Sequence, residues 1–260
     1  MNIAICAVAK QENDYIDDWI KYHLNLGINQ IFLFDNNNST YEKVEKRIDY
    51  SVMPYVKIIN INDTDCRQLD RYNEFYRKYS KDFDWIICLD IDEFITLETY
   101  PDIPSFLSDP KFENFDQVEL TWKNYGDGGL VERDMTIPIY ESELTPSTSF
   151  TQAQVKSFVR GNLPTIMKTA HCHIGINNFN IKSCLADGTP TDTQLLKNSF
   201  VGGVYIRHYR TRTLSEYIKN KFNRTDSFFD KSLTTLKYYF RTNPRLPIHD
   251  EYLKKAGLLE

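Results

Sequence analysis

Three acidic side chains, Asp90, Asp92 and Glu93, come directly after an apolar run of strand length at residues 85–89. Such a run predicts a buried strand that delivers carboxylates to one end of a sheet. Because side chains alternate along an extended strand, Asp90 and Asp92 are expected to point the same way. Neighbouring carboxylates repel one another unless a cation neutralises them, and Mn²⁺ or Mg²⁺ takes oxygen ligands of this kind together with phosphate oxygens. The spacing therefore predicts a metal and diphosphate site.

The segments that precede this motif alternate between strand and helix patterns. Strands are predicted at residues 2–9, 30–34 and 56–61, and helices at 14–26, about 40–50 and 68–79, with Gly27 ending the first helix. Such alternation predicts right-handed crossovers and a mainly parallel sheet, whose ligands bind at the carboxyl ends of the strands. Asp35 and Asp90 both lie at such ends.

The regular alternation stops after Asp92. A strand at residues 117–122 runs into a glycine-containing loop at 123–129, and residues 155–159 and 166–171 are predicted to form a hairpin. A last strand is expected at 204–209, a helix from the capping box at Thr213 and Glu216 to about residue 223, and another helix at 233–242. We expect a single α/β domain over residues 1–260, with a nucleotide-binding half at 1–95, an acceptor-side half at 96–212 and a C-terminal helical region at 213–260.

Composition limits the classes of protein that fit. At 260 residues and 41% hydrophobic, the chain can bury one substantial core. The net charge of −5 argues against a general nucleic-acid binder, although ten Lys or Arg face three acids between residues 205 and 245. Five cysteines form no C-x-x-C pair, which favours reduced thiols. With no signal-type or membrane-spanning run, we expect a cytoplasmic protein, peripheral at the inner face of a membrane if the basic segment docks there.

Further motifs spread over most of the chain point to one family. They are AKQEN at residues 9–13, WIKYHLNLG at 19–27, DNNNS at 35–39, the acidic strand at 85–94, WKNYG at 122–126, and HY at 208–209 ahead of SEY at 215–217. In order and spacing the chain resembles the nucleotide-sugar glycosyltransferases with a GT-A fold, in particular the family 2-like and family 92-like enzymes. The resemblance implies a Rossmann-like sheet and sugar transfer from a nucleotide, with UDP as the expected nucleotide.

The resemblance implies roles for the acids at the strand ends. Asp90 and Asp92 would bind Mn²⁺ or Mg²⁺ bridging the diphosphate, with Asp90 nearer the ribose, whereas the plain alternative is a solvated acidic turn. Asp35 corresponds to an acid that contacts the base, or else is an ordinary turn residue. Lys10 and Glu12 line the same edge as nucleotide-binding candidates, and Glu12 equally suits the N-terminus of the following helix.

Other residues are candidates for the metal and the diphosphate. His208 resembles a histidine that completes the metal shell in some GT-A enzymes, and an ordinary packed histidine is the alternative. Cationic partners for the diphosphate are expected from two pairs, Lys156 with Arg160 or Arg207 with Arg210. His171, Cys172 and His173 lack the further ligand pair that a zinc site needs, and His23 on a core-facing helix is expected to be structural.

Inverting transfer, as implied by the resemblance, needs a carboxylate to take the proton of the attacking acceptor hydroxyl. Asp127 is the first candidate, with Glu132 and Glu119 behind it, although the family pattern leads us to expect serine at position 127. Trp122 and Tyr125 suit stacking on an acceptor sugar, and a place in the core is the alternative for Trp122. The acceptor would be a glycan or a lipid-linked saccharide in surface polysaccharide synthesis.

Two other classes of function stay open at this point. A metal-dependent phosphohydrolase also uses an Asp-x-Asp motif after a buried strand, but it predicts a nucleophilic Asp early in the chain, and the first strand runs into Ala9 and Lys10 instead. A non-catalytic module that binds sugar nucleotides or polysaccharide would keep the metal site without a base. Turnover distinguishes the second alternative from an enzyme.

Overall fold

Four strands form the parallel part of the central sheet: β1 (Ile3–Ala9), β2 (Gln30–Asp35), β3 (Val56–Asn60) and β4 (Trp85–Cys88), of which β1, β2 and β4 are mostly buried. This computed structural model describes residues 1–37, 41–61, 67–147, 152–192, 195–197, 200–222 and 233–259. Parallel pairing of β1 with β2 and β4, and of β2 with β3, gives the order β3-β2-β1-β4. The carboxyl ends of these strands, at Ala9, Asp35 and Cys88, therefore lie at one edge of the sheet.

The sheet continues beyond β4 with antiparallel and parallel pairs. Its further strands, with a separate pair β8 and β9, are β5 (Glu93–Leu97), β6 (Gln117–Asn124), β7 (Gln152–Arg160), β8 (Thr165–Met167), β9 (His173–Gly175), β10 (Ser183–Leu185), β11 (Pro190–Thr191), β12 (Leu195–Lys197) and β13 (Val204–His208). β7 lies between β4 and β6 and runs antiparallel to both. The mixed α/β architecture, with a mainly parallel central sheet flanked by helices, confirms the predicted fold class and is consistent with a Rossmann-like GT-A fold.

Helices pack around this sheet and form the C-terminal region. They are α1 (Ile16–Asn25), α2 (Gln68–Tyr79), α3 (Ile103–Leu107), α4 (Leu214–Tyr217), α5 (Leu233–Thr242) and α6 (Pro247–Lys255), with a π-helical turn at Ile218–Phe222. The capping box predicted at Thr213 and Glu216 is present. Helices α3 and α6 were not predicted, although Pro247 in the first turn of α6 is a typical helix start.

Helix α2 packs on an apolar face of the sheet that alternate residues of β1, β2 and β4 form. Alternate residues of β1, β2 and β4 share one face and pack on one side of α2, forming a core cluster that contains Ala4, Cys6, Phe32, Phe34, Tyr72, Phe75, Tyr76, Ile86 and Cys88. The period of two along the strands and the helical spacing along α2 meet at this face. The inner face of α2 is therefore formed by Tyr72, Phe75 and Tyr76.

Helix α1 packs against β5 through aromatic residues. Trp19 donates its indole N–H to the carbonyl of Glu93 at 2.9 Å, and His23 stacks on Phe94 at 5.8 Å between ring centroids. His23 is fully buried, its Nδ1 lies 2.8 Å from the Trp19 carbonyl, and burial lowers its pKa to about 3. His23 is thus a neutral core residue, as expected from its place on the helix.

Two predicted elements differ from the structure. Residues 41–50 contain a 3₁₀ turn at Val44–Arg47 in place of the predicted helix. Residues 38–40 lie outside the described part of the chain, as do Cys66 and Asn223. The expected hairpin is also wrong, because β7 pairs with β4, β6 and β12, whereas β8 pairs with β9. Both β7 and β8 are strands, but the local sequence pattern does not determine which strands they pair with.

The chain divides into two compact units. The first contains residues 1–122 and 152–207, and the second contains residues 123–151 and 208–260. The second unit has its own apolar cluster, formed by Val131, Leu214, Tyr217, Leu236, Tyr239 and Leu253. These boundaries differ from the predicted division at residues 95 and 212, and the single-domain assignment stays a prediction.

Two expectations about the environment of the chain can be compared with the structure. Cys6, Cys88, Cys172 and Cys184 are buried free thiols, in keeping with the reduced state expected of them. Tyr217, in the segment considered for membrane docking, is buried in the core of the second unit. Among the helices of the described ranges, none has the length and apolar character needed to cross a bilayer.

Gly27 provides a test of how the first helix ends. Its φ is +95°, and a Cβ at this position would lie 2.6 Å from Cδ of Pro104, whose ring cannot move aside. We expect Gly27→Ala to lower the free energy of unfolding by roughly 2 kcal/mol or more, measured by urea denaturation. The control is Gly188→Ala, at φ +89° with Lys111 no nearer than 3.4 Å, which we expect to cost about 1 kcal/mol. Equal losses in the two variants would show that the Pro104 contact is unimportant.

Candidate functional site

Asp90, Ile91 and Asp92 form a tight turn between β4 and β5. The Glu93 N–H donates to the Asp90 carbonyl at 3.1 Å, and the Glu93 carboxylate accepts from the Asp90 N–H at 2.9 Å. This reciprocal pair closes the turn directly after the end of β4. Asp90 and Asp92 thus lie at the carboxyl edge of the parallel strands, in agreement with the prediction. The strand alternation from which we expected Asp90 and Asp92 to share a direction does not apply, because the chain turns between them.

A buried lysine lies beneath this turn. Lys156 of β7 is 1% exposed, and its Nζ lies 3.2 Å from Oδ2 of Asp90 and 3.3 Å from Oε2 of Glu93. Since Phe158 of β7 pairs with Ile87, Lys156 reaches the region just past the end of β4. The ammonium therefore partly neutralises the two carboxylates from inside the protein.

Burial and neighbouring charges act in opposite directions on these groups. Burial raises the pKa of Glu93 well above its usual value; the Lys156 charge opposes this, and Asp90 and Asp92 add to the rise. Burial would lower the pKa of Lys156, but the charges of Asp90 and Glu93 outweigh it and hold that pKa above its ordinary value. Lys156 is therefore a cation at any physiological pH. Oε1 of Glu93 is buried with no hydrogen-bond partner, and an unpaired oxygen of this kind is stabilised by a nearby cation or proton.

The outer side of Asp90 is held by helix α2. Oδ1 of Asp90 accepts from Nε2 of Gln68 and from the hydroxyl of Tyr72, the latter at 3.2 Å. With Lys156 on Oδ2, three donors fill most of the roughly four lone-pair positions of a carboxylate. The Asp90 side chain nevertheless stays 33% exposed, and Asp92 is partly exposed. Both aspartates can therefore meet a ligand from solvent.

The donor set of the turn can be compared with the needs of a divalent cation. Within the described residues, no three His, Cys, Asp or Glu side chains form a ready-made metal cluster. Mg²⁺ commonly keeps several waters and takes one or two protein carboxylates together with phosphate oxygens of a substrate. Asp90 and Asp92 supply that number of oxygen ligands, so the turn fits a cation that is shared with a phosphate ligand.

Asp35, at the carboxyl end of β2, is fully buried. Oδ1 accepts from the N–H of Asn37 at 2.9 Å, Oδ2 accepts from the N–H of Val44 at 3.2 Å, and Nζ of Lys43 lies 3.9 Å away. The carboxylate thus ties down the loop that follows its own strand. Its contact with a base stays a prediction.

The remaining nucleotide candidates lie in several places of the first unit. Lys10 and Glu12 follow β1 and are partly exposed, and Arg207 on β13 donates to Oγ1 of Thr96 at 2.9 Å. Their roles stay predictions. The expectation that Arg160 contacts the diphosphate is wrong. Arg160 pairs with Trp85 at the opposite end of β4, and its guanidinium lies 4.4 Å from the Trp85 ring.

Asp127, the first candidate base, is fully buried in the second unit. It accepts from the hydroxyl of Tyr239 at 2.6 Å and from the N–H of Gly129 at 2.8 Å, and Nε2 of His249 lies 3.2 Å from Oδ2. The Asp127 N–H donates to Asn243 at 2.8 Å. These contacts join the glycine loop to α5 and α6. Such a carboxylate is well placed to fix the loop, and its role as a base stays a prediction.

Three further candidates lie near the same loop or its neighbouring strand. Glu132 is exposed and lines a groove of about 720 Å³ together with Ile248, Tyr252 and Lys255. The Tyr125 ring lies 4.9 Å from that of Tyr209, and Nδ1 of His208 lies 3.1 Å from the Asn124 side-chain oxygen. The acceptor and metal roles given to these residues stay predictions.

The histidine and tryptophan candidates of the first unit are engaged within the fold. Trp122 is partly buried, with its ring 5.4 Å from that of His171. Nδ1 of His171 lies 3.0 Å from the Val155 carbonyl, and that of His173 lies 3.1 Å from Thr165 Oγ1. The zinc alternative therefore has no support among the described residues.

Sequence reasoning missed the immediate surroundings of Asp90. Gln68 and Tyr72 belong to a helix pattern that gives no hint of a contact 22 and 18 residues away. Lys156 was expected at the diphosphate, but the structure buries it behind the turn. A single lysine inside an apolar strand pattern was the available signal, since a buried lysine requires an acidic partner.

Comparison with known proteins gives distant matches. No family model matches the sequence, and no curated protein matches it. Among solved structures, TarS 1–349 of S. aureus is similar at 13% identity and a TM-score of 0.36, over 62% of this chain and 47% of TarS 1–349. HddC from Yersinia pseudotuberculosis is similar at 10% identity and a TM-score of 0.43, over 84% of this chain and 97% of HddC. This chain thus spans about half of the TarS fragment, and likenesses this distant assign no activity.

Glu119, the third candidate base, gives a prediction about stability. It is 2% exposed on β6, with Oε2 unpaired, and burial, with a smaller effect of Asp192, raises its pKa to about 8 from 4.5. The folded state thus keeps the Glu119 proton up to a higher pH than the unfolded state does. The resulting stability is complete below pH 4.5 and is lost as the pH rises through about 8, at roughly 1.4 kcal/mol per pH unit.

We therefore expect Glu119→Gln to remove this pH dependence and to make the protein more stable than wild type at pH 8. The measurement is the free energy of unfolding between pH 5 and 9 by urea denaturation. Glu113→Gln, which removes one carboxylate at an exposed position, is the control for net charge. A wild-type curve that is flat in this range, or a variant with the same slope, would contradict the buried, protonated Glu119.

Proposed function

We propose that the chain is a metal-dependent glycosyltransferase that takes a sugar from a nucleotide donor, with a UDP-sugar as the expected donor. The observation that carries the proposal is the Asp90-Ile91-Asp92 turn, which follows β4 at the carboxyl edge of the parallel strands, with Asp35 at the same edge at the end of β2, on the far side of β1. Open α/β sheets bind their ligands at this edge. The resemblance of the sequence motifs to GT-A glycosyltransferases adds the expected chemistry.

In this proposal the turn holds the diphosphate end of the donor. Asp90 and Asp92 would bind Mn²⁺ or Mg²⁺, with His208 as a further candidate ligand. When bound, the cation neutralises the charge that builds up on the departing diphosphate. Asp90, a third exposed and fixed by Gln68 and Tyr72, would accept from a ribose hydroxyl of the donor. Lys10, Glu12, Asp35 and Arg207 would complete the nucleotide site.

Transfer with inversion also needs a base for the acceptor hydroxyl. Of the first two candidates, Glu132 is exposed on a groove, whereas the oxygens of Asp127 accept hydrogen bonds inside the second unit. In this proposal the Glu132 carboxylate is the base that takes the proton of the acceptor hydroxyl. Asp127 fixes the glycine-containing loop. Trp122 and Tyr125 are the proposed stacking partners of the acceptor, a glycan or lipid-linked saccharide of surface polysaccharide synthesis.

Donor turnover tests this proposal. Purified protein is incubated with UDP-, GDP-, dTDP- and CMP-sugars in Mn²⁺ or in EDTA, with a panel of glycans and lipid-linked saccharides as acceptors for the transferred sugar, and release of the free nucleotide is followed. We expect one class of donor to be consumed only with the metal, and Asp92→Asn to lower the rate about 100-fold or more. Glu113→Gln, exposed and remote in sequence from the turn, should leave the rate unchanged.

Each of the following results would contradict the proposal. Consumption of no donor class would exclude transfer from these nucleotide sugars to the acceptors supplied. Equal rates in Mn²⁺ and EDTA would exclude the metal, and an unchanged rate in Asp92→Asn would exclude the turn as its site. Donor binding without turnover would identify the non-catalytic module in place of the enzyme.

A further inference from the structure

Lys156 is the feature of this site that the proposed chemistry does not use. Its side chain is 1% exposed, so the ammonium cannot reach a phosphate in solvent. β7 is paired on both sides, with β4 and with β6, and Lys156 itself lies opposite Leu120 in the β6 register. The backbone from which Lys156 projects is therefore fixed, and the ammonium is a permanent component of the site.

The charge around the turn explains what such an ammonium does. Asp90, Asp92 and Glu93 place three acidic side chains within four residues, and Lys156 touches two of them. One of its contacts, to Oδ2 of Asp90, involves an oxygen that a metal ion would otherwise share. The other contact, to the buried Glu93, holds the carboxylate that closes the turn through the Asp90 N–H.

We propose that Lys156 is an internal counter-cation that positions Asp90 and keeps the affinity of the ligand-free turn for a divalent cation low. The role rests on the proposed function, because it concerns the same two aspartates. A cation at Asp90 lies close to the buried ammonium and is repelled by it, since like charges at a few ångströms interact strongly where water is excluded. The negative charge of a diphosphate offsets that repulsion. The turn therefore takes up its metal together with the phosphates of a ligand.

Binding of Mn²⁺ alone tests this role without any measurement of activity. Calorimetric titration compares wild type, Lys156→Met and the control Lys57→Met, which removes the same charge at an exposed position on β3. We expect Lys156→Met to bind Mn²⁺ roughly tenfold more tightly than wild type and the control to match wild type. Loss of a merely structural contact would weaken the site, so a gain in affinity is specific to the counter-cation.

A second variant keeps the test valid if Lys156→Met fails to fold. Glu93→Gln combined with Lys156→Met removes the buried cation and one buried anion together, and replacement of both members of a buried pair is far better tolerated than removal of one. It leaves Asp90 without the ammonium, so we again expect tighter Mn²⁺ binding than in wild type. Circular dichroism and thermal melting confirm that each variant used is folded.

The outcomes separate this inference from the proposed function. Unchanged or weaker Mn²⁺ binding in a folded variant without Lys156, including no binding in any variant, overturns the counter-cation role. If donor turnover is intact in that case, the proposed function survives. If instead no sugar nucleotide is bound or consumed while removal of Lys156 strengthens Mn²⁺ binding, the counter-cation role stands and the proposed function fails.

Discussion

The burial of Lys156 between Asp90 and Glu93 is the constraint on which the site depends. Desolvation of an ammonium and a carboxylate costs several kcal/mol for each ion, and only close pairing recovers it. The pairing here requires β7 to lie beside β4 with Lys156 just past its end, and it requires the chain to turn at once so that Glu93 can fold back beneath Asp90. The antiparallel insertion of β7 and the tight turn are thus parts of one arrangement.

That arrangement makes the turn rigid at the place where chemistry is proposed. Asp90 is held from below by Lys156 and from the side by Gln68 and Tyr72, while Trp19 fixes the backbone at Glu93. A carboxylate held by neighbours on both oxygens pays little ordering entropy when a ligand binds. The parallel strands bring the loop after Asp35 to the same edge, so the fold gathers both candidate donor contacts without any long excursion of the chain.

The sequence was informative where local pattern decides structure. The apolar strands, the helices at residues 16–25 and 68–79, and the stop at Gly27 all follow from periodicity and turn chemistry, and so does the placement of Asp90 at a strand end. The choice of strand partners does not, because the pairing of β7 with β4 joins segments some 70 residues apart. The hairpin predicted at residues 155–159 and 166–171 is wrong for this reason.

The candidate site was predictable to a smaller degree. The acids themselves are visible in the sequence, but the burial of Asp127 depends on Tyr239, 112 residues away, and the support of Asp90 depends on a helix and a strand on either side of it in the chain. The turn at Asp90 is closed by the reciprocal hydrogen bonds between Asp90 and Glu93, which no period in the sequence signals. Side-chain burial over long separations is the information that a single sequence lacks.

The central claim is that Asp90 and Asp92 hold a divalent cation together with a nucleoside diphosphate. Calorimetric titration of UDP into wild type and Asp92→Asn, each in Mn²⁺ and in EDTA, tests it most directly. The account predicts that Mn²⁺ tightens UDP binding to wild type by at least about tenfold, equivalent to roughly 1.4 kcal/mol, and that Asp92→Asn loses this gain. Binding that is equal with and without the metal, or a gain that survives in Asp92→Asn, would contradict it.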